Sequence, residues 1–373
     1  MVRHHRESVV FTLVVTLLAF LGAALMGLVI ALSGAPDTLL LATFLAFLPV
    51  GPLLACFLWL DRYEPEPRVL LASGLAWGAF VATAAAIVLQ GIGGLFTGVD
   101  GVTEIAVVAP VVEEATKGAF LVMLLWWRRA ELDGMLDGIV YAGMVGIGFA
   151  FVENILYLAA AYDGTDGLGP GGSGALTMTF VIRCLVSPFA HPLFTAFFGI
   201  GVGIAVNSRT PSGRFAALAT GYALAVLTHA MWNGAALGLG GNFVVVYLTL
   251  MAPLFLAFVG FAVWLRRSER TMLTRSLTDA AHRGLLPATD IAWLVDLGAR
   301  RAARRFAKER GGDAGERAME EYQQAAVELG FLHHRYLRGT PPPDFAARGQ
   351  VFVERLHTVR PYISFPGQVV PTR

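Results

Sequence analysis

Long apolar stretches separated by short polar breaks constrain this chain more than any other sequence feature. Each stretch is long enough for a helix to cross the roughly 30 Å hydrocarbon core of a bilayer, which takes about 20 residues. Hydrophobic residues make up 56% of the 373 residues and charged residues only 15%, so most of the chain is expected to lie in lipid. Since a lipid-embedded helix satisfies its own backbone hydrogen bonds, the pattern predicts an all-α polytopic bundle in a cell membrane.

We predict about eight transmembrane helices. They are expected at about Val9–Leu32, Thr38–Leu60, Val69–Ile92, Ile105–Trp127, Met135–Ala161, Ala175–Val206, Phe215–Leu237 and Phe243–Leu265. Pro188 and Pro192 lie inside the sixth, and proline removes a backbone donor, so this helix is expected to be kinked or broken.

Arginines fall on one side of this eight-span arrangement, and the intervening loops carry none. The arginines in question are Arg3, Arg6, Arg62, Arg68, Arg128, Arg129, Arg209, Arg214, Arg266 and Arg267. Because cytoplasmic loops of membrane proteins carry an excess of basic residues, we predict that both termini are cytoplasmic.

The composition changes near residue 268. Residues 1–267 form the predicted membrane domain, and residues 268–373 are charged and predict a small soluble helical domain with an irregular tail beyond Ile363. The net charge of +1 gives no reason to expect a nucleic-acid partner. Cys56 and Cys184 lie in separate apolar runs, so we expect no disulfide framework.

The fourth predicted span contains Glu113, Glu114 and Lys117. A charged residue at the centre of a membrane helix costs about 2.5–3.5 kcal/mol on insertion scales, so these three require an explanation. Glu113 and Lys117 have i,i+4 spacing and Glu114 lies i,i+3 from the same lysine, which permits local ion pairs. One lysine cannot neutralise both glutamates, so a purely structural ion pair is the weaker interpretation.

Glu153, Arg183, His191 and His229 also lie inside predicted spans. With a helical rise of about 1.5 Å per residue, Glu113 lies roughly 12 Å and Glu153 roughly 13 Å from the outer face. His229 lies at a similar depth, and His191 joins them only if its helix is broken near Pro188. We therefore expect a polar cluster in the outer half of the membrane.

Such a cluster is suited to hydrolysis, which needs a base to activate water and donors for a developing oxyanion. Histidine and glutamate together also hold zinc-like ions. His229 and Asn233 share a helix face, so Asn233 is a candidate donor to the imidazole or to a substrate oxygen. Two alternatives remain open: a proton- or ion-coupled transporter that uses the same groups as a relay, and a non-catalytic membrane scaffold.

The motifs resemble those of a known family. Glu113-Glu114-Ala115-Thr116-Lys117 resembles the EExxK motif of the PrsW intramembrane proteases, and Phe149–Glu153 resembles their FxxxE motif. His191 and the segment 229–233 are similar to the later histidine motifs, and residues 61–67 to the characteristic second loop. The likeness covers about residues 61–264. The wider superfamily includes the CAAX-type prenyl-protein proteases.

The resemblance implies an intramembrane metalloprotease that cleaves a single-pass membrane protein, such as an anti-sigma factor, near its extracytoplasmic side. It implies Glu113 as the general base or water ligand, with Glu114 and Lys117 setting its charge state. Glu153, His191 and His229 would bind metal or polarise water. The implied metal ligands are Glu113, Glu153, His191 and His229, and zinc is the implied metal. The resemblance does not extend to residues 268–373.

Overall fold

The structure, a computed structural model, describes residues 2–165, 170–238 and 243–367, and every regular element in those ranges is a helix. The long helices of the N-terminal part are α1 Val2–Leu32, α2 Pro36–Leu60, α3 Arg68–Phe96, α4 101–127, α5 Met135–Asp163, α6 Gly172–Asn207, α7 Pro211–Ala236 and α8 Phe243–His282. The C-terminal helices are α9 Ile291–Val295, α10 Leu297–Leu337 and α11 Phe345–Val359. The predicted all-α fold is confirmed.

Seven helices in the described part of the chain are long and apolar enough to cross a membrane: α1 from Val9 onward, α2, α3, α5, α6, α7 and α8. This confirms a multi-pass membrane protein. Helix α4 is of comparable length, since its 27 residues extend about 40 Å at the usual rise. It differs from the other seven because Glu104, Glu113, Glu114 and Lys117 make it too charged for the same criterion.

Helix α4 begins earlier than the sequence predicted. Asp100 caps its N-terminus, because the Asp100 carboxylate accepts hydrogen bonds from the backbone of Val102 at 3.1 Å and Thr103 at 3.0 Å. Such caps satisfy amide groups that have no partner within the helix. The helix therefore starts at Gly101, and the glutamates lie about three turns inside it.

Helix α6 is broken where the prolines predicted. Its first half ends in a π-helical turn, Val181–Val186, and its second half, Ala190–Asn207, begins after a non-helical link at residues 187–189. Pro192 falls in the first turn of the second half, where the missing backbone donor costs little. The break sets His191 one residue after the start of a new helix.

Helix α5 is the centre of the membrane-embedded part, and 89% of the residues in its most apolar stretch are buried by protein. Glycines allow neighbouring backbones to approach it closely. A Cβ added at Gly138 would lie 2.0 Å from the Gly199 carbonyl oxygen of α6, and one at Gly148 would lie 2.0 Å from the Leu75 oxygen of α3. These close contacts fix α5 against both neighbours and so position Glu153.

The chain divides into two compact units, one of residues Met1–Trp59 and Glu66–Gly260 and one of residues Leu60–Pro65 and Phe261–Arg373. The division falls inside α8. In the second unit, the Arg300 guanidinium donates to the Tyr63 carbonyl oxygen at 2.9 Å, and burial lowers the pKa of Arg300 to about 10. This contact explains why a short loop from early in the chain belongs with the C-terminal helices.

The second unit has its own core, formed by apolar side chains of α8, α10, α11 and the segment after α11. Asp290, which has no exposed surface, accepts hydrogen bonds from the Tyr322 hydroxyl at 2.7 Å and from Arg360 Nε at 2.7 Å. Phe365 is also fully buried. The non-helical residues 363–365 are thus packed into the core of this unit, and residues 368–373 lie outside the described ranges.

Candidate active site

Four helices of the first unit bring the predicted ionisable residues into one cluster. They are Glu113, Glu114 and Lys117 on α4, Glu153 on α5, His191 on α6 and His229 on α7. Glu114 and Lys117 have no exposed surface, and the Glu153 side chain keeps 14% of its surface exposed. The cluster is therefore nearly enclosed by protein.

Lys117 lies at the centre of the cluster. Its ammonium group is 2.8 Å from Glu114 Oε1, 3.4 Å from Glu113 Oε2 and 3.0 Å from His191 Nδ1. It also lies 3.8 Å from the centre of the Phe149 ring, a cation–π distance. Acceptors from α4 and α6 thus converge on a cation.

The hydrogen bonds of His191 define its tautomer. The Lys117 ammonium can only donate, so His191 Nδ1 accepts from it. The other ring nitrogen, Nε2, lies 2.7 Å from Glu153 Oε2 and donates to that carboxylate. His191 is therefore a neutral imidazole, and its Nδ1 lone pair, which faces α4, accepts from Lys117.

His229 is held in the same manner by a different carboxylate. Its Nδ1 lies 2.9 Å from Glu114 Oε1 and donates to it, while its Nε2 lies 3.8 Å from Glu113 Oε2. The ring stacks on Phe194 with the ring centres 4.9 Å apart. The Nε2 lone pair of His229 consequently faces Glu113, too far away for a hydrogen bond.

Arg183 closes the cluster on the α5 side. Its guanidinium pairs with Glu153 and donates from Nε to Asn154 Oδ1 at 2.7 Å. It also lies over the Tyr157 ring at 4.0 Å. Arg183, which lies inside the sixth predicted span, thus finds its charge partner in Glu153.

Thr195 is a member of the cluster that sequence reasoning missed. Its hydroxyl donates to Glu114 Oε2 at 2.9 Å, and the residue is fully buried. The available signal was its i,i+4 spacing from His191, which places both side chains on one face of α6. Glu114 thus receives hydrogen bonds from three helices.

Asn233 is the predicted residue that the structure does not bring to the cluster. Its amide donates to the Ile105 carbonyl oxygen of α4 at 2.9 Å. That carbonyl belongs to the π-helical turn near the beginning of α4, about two turns before Glu113. The contact gives Asn233 a role in joining α7 to α4.

Three residues of the cluster could hold a metal ion. One ligand atom each from Glu113, His191 and His229 lie within 4.8 Å of one another. Two imidazoles and one carboxylate are a donor set that catalytic zinc sites use. Each histidine donates its other ring N–H to a carboxylate, which is how metal-ligating histidines are usually oriented. The residues fit a zinc-like ion, provided that Lys117 releases the His191 Nδ1 lone pair to which it now donates. Glu153, the fourth predicted ligand, instead pairs with His191 and Arg183.

The charges of the cluster also favour a cation. Within the described ranges, Glu113, Glu114 and Glu153 form ion pairs with two permanently cationic side chains, Lys117 and Arg183. With both imidazoles neutral, three carboxylates and two cations leave the cluster with one net negative charge, and a net charge that is buried is costly. A bound cation or a proton would balance it.

The part of the chain that contains this cluster is similar to known proteins. Residues 66–258, just over half of the chain, match the sequence profile described as PrsW family intramembrane metalloprotease. The chain is similar to the proteins named Protease PrsW of Clostridioides difficile strain 630, at 32% identity over 121 residues, and of Geobacillus kaustophilus strain HTA426, at 29% over 155 residues. A third, from Oceanobacillus iheyensis, is 30% identical over 114 residues.

These alignments cover 31%, 42% and 31% of this chain, and 50%, 62% and 46% of the respective relatives, so the chain spans about half the length of the curated relatives that it matches. No solved structure matches the chain. The profile match includes every member of the polar cluster, from Glu113 to His229. The chain belongs to the PrsW family of intramembrane metalloproteases.

Proposed function

We propose that the chain is an intramembrane endopeptidase that hydrolyses peptide bonds of single-pass membrane proteins near the extracytoplasmic face. The observation that supports this most strongly is the convergence of Glu113, His191 and His229, from three helices, on one buried point. In each histidine, the ring nitrogen that points away from this group donates to a separate carboxylate, Glu153 for His191 and Glu114 for His229. A transport relay would not require both imidazoles to be held in this way. An anti-sigma factor is one such substrate, implied by the family.

Glu113 is the proposed general base, since it is the one carboxylate of the cluster without a short ion pair or hydrogen bond to a neighbouring helix. Lys117 lies 3.4 Å from it and stabilises its charge. Glu114 orients His229, and Glu153 orients His191. In the alternative, metal-dependent mechanism Glu113 would act as a ligand together with His191 and His229, and the bound divalent ion would supply Lewis-acid activation of water.

The residues around this group exclude bulk water. Phe149 and Phe194 pack against the two imidazoles, with ring centres 5.2 Å from His191 and 4.9 Å from His229. In such an apolar surrounding the charged groups interact more strongly than they do in water. The Lys117 ammonium, beside Glu113, is the nearest donor for a developing oxyanion.

The function is tested by Glu113→Gln, which keeps the shape of the side chain and removes the base. Removal of a general base lowers hydrolysis by about 10²–10⁴-fold. The variant and the unchanged protein are reconstituted with single-pass membrane proteins extracted from the cells that produce the chain, and new N-termini are mapped by mass spectrometry. Glu104→Gln, on the same helix outside the cluster, is the matched control and should cleave normally. Cleavage by Glu113→Gln at the normal rate would overturn the proposal.

Metal dependence separates two mechanisms that use the same residues. We expect 1,10-phenanthroline to abolish cleavage, the non-chelating 1,7 isomer to have no effect, and added zinc to restore activity. Purified protein should contain about one metal ion per chain, and His229→Ala should lose it. Full activity of protein that contains no metal would instead favour a metal-free mechanism in which Glu113 alone activates water.

A further inference from the structure

A groove of about 420 Å³ opens on the first unit beside the cluster, and Glu114 lines its inner end. It runs along α4 from Ala115 to Trp127, with Phe198 of α6 and Tyr222 of α7 on its other side. Its surface is almost entirely apolar. At the usual helical rise, the distance from Glu114 to Trp127 is about 20 Å, roughly two thirds of the hydrocarbon core.

The walls of this groove are fixed by specific contacts. The Tyr222 hydroxyl donates to the Val111 carbonyl oxygen at 2.7 Å, which ties α7 to α4 at the level of the cluster. The Phe198 ring lies edge-on to Tyr222, with centres 6.1 Å apart, and fills the space that a side chain at Gly118 would need. Ala115, Ala119 and Val122 leave the α4 side of the groove open. The shape of the groove is therefore fixed by contacts among α4, α6 and α7.

We propose that the membrane-spanning helix of the substrate docks in this groove with its extracytoplasmic end at the cluster. This inference rests on the proposed protease function. An extended peptide would leave backbone groups without partners in an apolar groove at membrane depth, so the occupant has to be helical there. Small side chains along α4 permit close approach of a second helix.

Continuity with the cluster favours a substrate over the other possible occupants. Glu114 lines the inner end of the groove, and its fully buried carboxylate is a partner of both Lys117 and His229, so a helix that fills the groove ends beside the cluster. A lipid chain or a second copy of the protein would not need to end at that position. The rest of a substrate helix bound in this groove would lie along α4 as far as Trp126. The scissile segment is then presented where the helix leaves the groove.

Filling the groove tests this directly. We expect Ala119→Trp to lower kcat/KM for a single-pass reporter, built around a span that the unchanged protein cleaves, by at least about tenfold. Cleavage of a short soluble peptide with the same scissile sequence should not change, because the cluster is intact. Ala55→Trp, at an exposed alanine of α2 outside the groove, is the matched control. Equal loss on both substrates, or no loss on the reporter, overturns the docking proposal without affecting the proposed function.

Photo-crosslinking identifies the occupant. With p-benzoylphenylalanine in place of Ala119 and Glu113→Gln to prevent turnover, irradiation should crosslink the protein to the reporter helix, and the same probe in place of Ala55 should not. Crosslinks from position 119 only to lipid, or to a second copy of the chain, would overturn the proposal.

Discussion

Glu114 is the residue on which most of the cluster depends, although it is not the proposed base. Its two carboxylate oxygens accept from Lys117, His229 and Thr195, on three helices. A carboxylate in this position keeps His229 Nε2 directed at Glu113 and keeps Lys117 between the two glutamates. Groups that orient a ligand in this way typically affect metal affinity or activity by about 10–100-fold.

We therefore predict that Thr195→Val lowers cleavage by about 10–100-fold, because Glu114 Oε2 loses its only short hydrogen bond from α6. Valine has nearly the same shape as threonine, so packing is retained. Thr195→Ser restores the hydroxyl and should restore most of the activity. The bound metal is measured beside the rate, and a fall in metal content together with activity would identify Thr195 as a positioning residue. Equal activity of the valine and serine variants would contradict this role.

Residues that are costly in lipid were the ones that could be predicted from sequence. Glu113, Glu153 and His229 are conspicuous in apolar spans, and the helical rise alone placed them at one depth. Thr195 was missed because a threonine hydroxyl costs little in a membrane helix and gives no comparable signal. Asn233 was misplaced because i,i+4 spacing shows which side chains share a face, but not that the Ile105 carbonyl lies opposite. The functional roles of these residues stay predictions.

At the scale of the elements, the break in α6 decides whether His191 reaches the cluster. A continuous helix would place His191 deeper than Glu113 and Glu153. The prolines predicted an interruption, but the sequence did not say that it would take the form of a π-helical turn followed by a three-residue link. That geometry depends on how α6 packs against α5, which is tertiary information.

The same packing predicts which glycines are indispensable. At Gly148 an added Cβ would lie 2.0 Å from the Leu75 carbonyl oxygen and 2.8 Å from the Ala79 backbone nitrogen. Backbone atoms of α3 cannot move away as a flexible side chain could, so overpacking of about 1–3 kcal/mol or more is expected for Gly148→Ala.

Gly148→Ala should therefore lower the thermal unfolding temperature of the detergent-solubilised protein by several degrees and reduce the yield of monodisperse protein. Gly91→Ala is the control, because nothing lies within 4 Å of an added Cβ there. Fluorescence-detected size-exclusion chromatography after heating measures both variants. Equal stability of the two would mean that α3 and α5 are less closely packed than the structure indicates.

For the whole molecule, the number of membrane crossings decides on which side each part of the chain lies. Seven helices in the described residues qualify by hydropathy, and α4 is the eighth only if a helix with four ionisable residues also crosses. The cluster removes this objection for α4, since Glu113, Glu114 and Lys117 are buried among protein groups instead of lipid. With eight crossings the termini lie on one side, and with seven they lie on opposite sides.

The arginines distinguish the two arrangements. If α4 entered and left the membrane on the outer side, Arg128, Arg129, Arg209, Arg214, Arg266 and Arg267 would all be extracytoplasmic. That distribution would reverse the usual bias of basic loops. Eight crossings place all six in the cytoplasm and put Glu113 in the outer half of the membrane, where the proposed substrate is cut.

Cysteine labelling in intact cells tests the crossing of α4. In a Cys56→Ser, Cys184→Ala background, we expect a membrane-impermeant maleimide to label Thr165→Cys, in the loop after α5, and not Ser212→Cys, in the first turn of α7. Asp37→Cys precedes α4, so it should be labelled in either arrangement and serves as the positive control. All three positions are exposed. Labelling of Ser212→Cys with protection of Thr165→Cys would show that α4 does not cross. It would also reverse every later helix, so that the end of α7 carrying His229 would face the cytoplasm and extracytoplasmic cleavage could no longer be maintained.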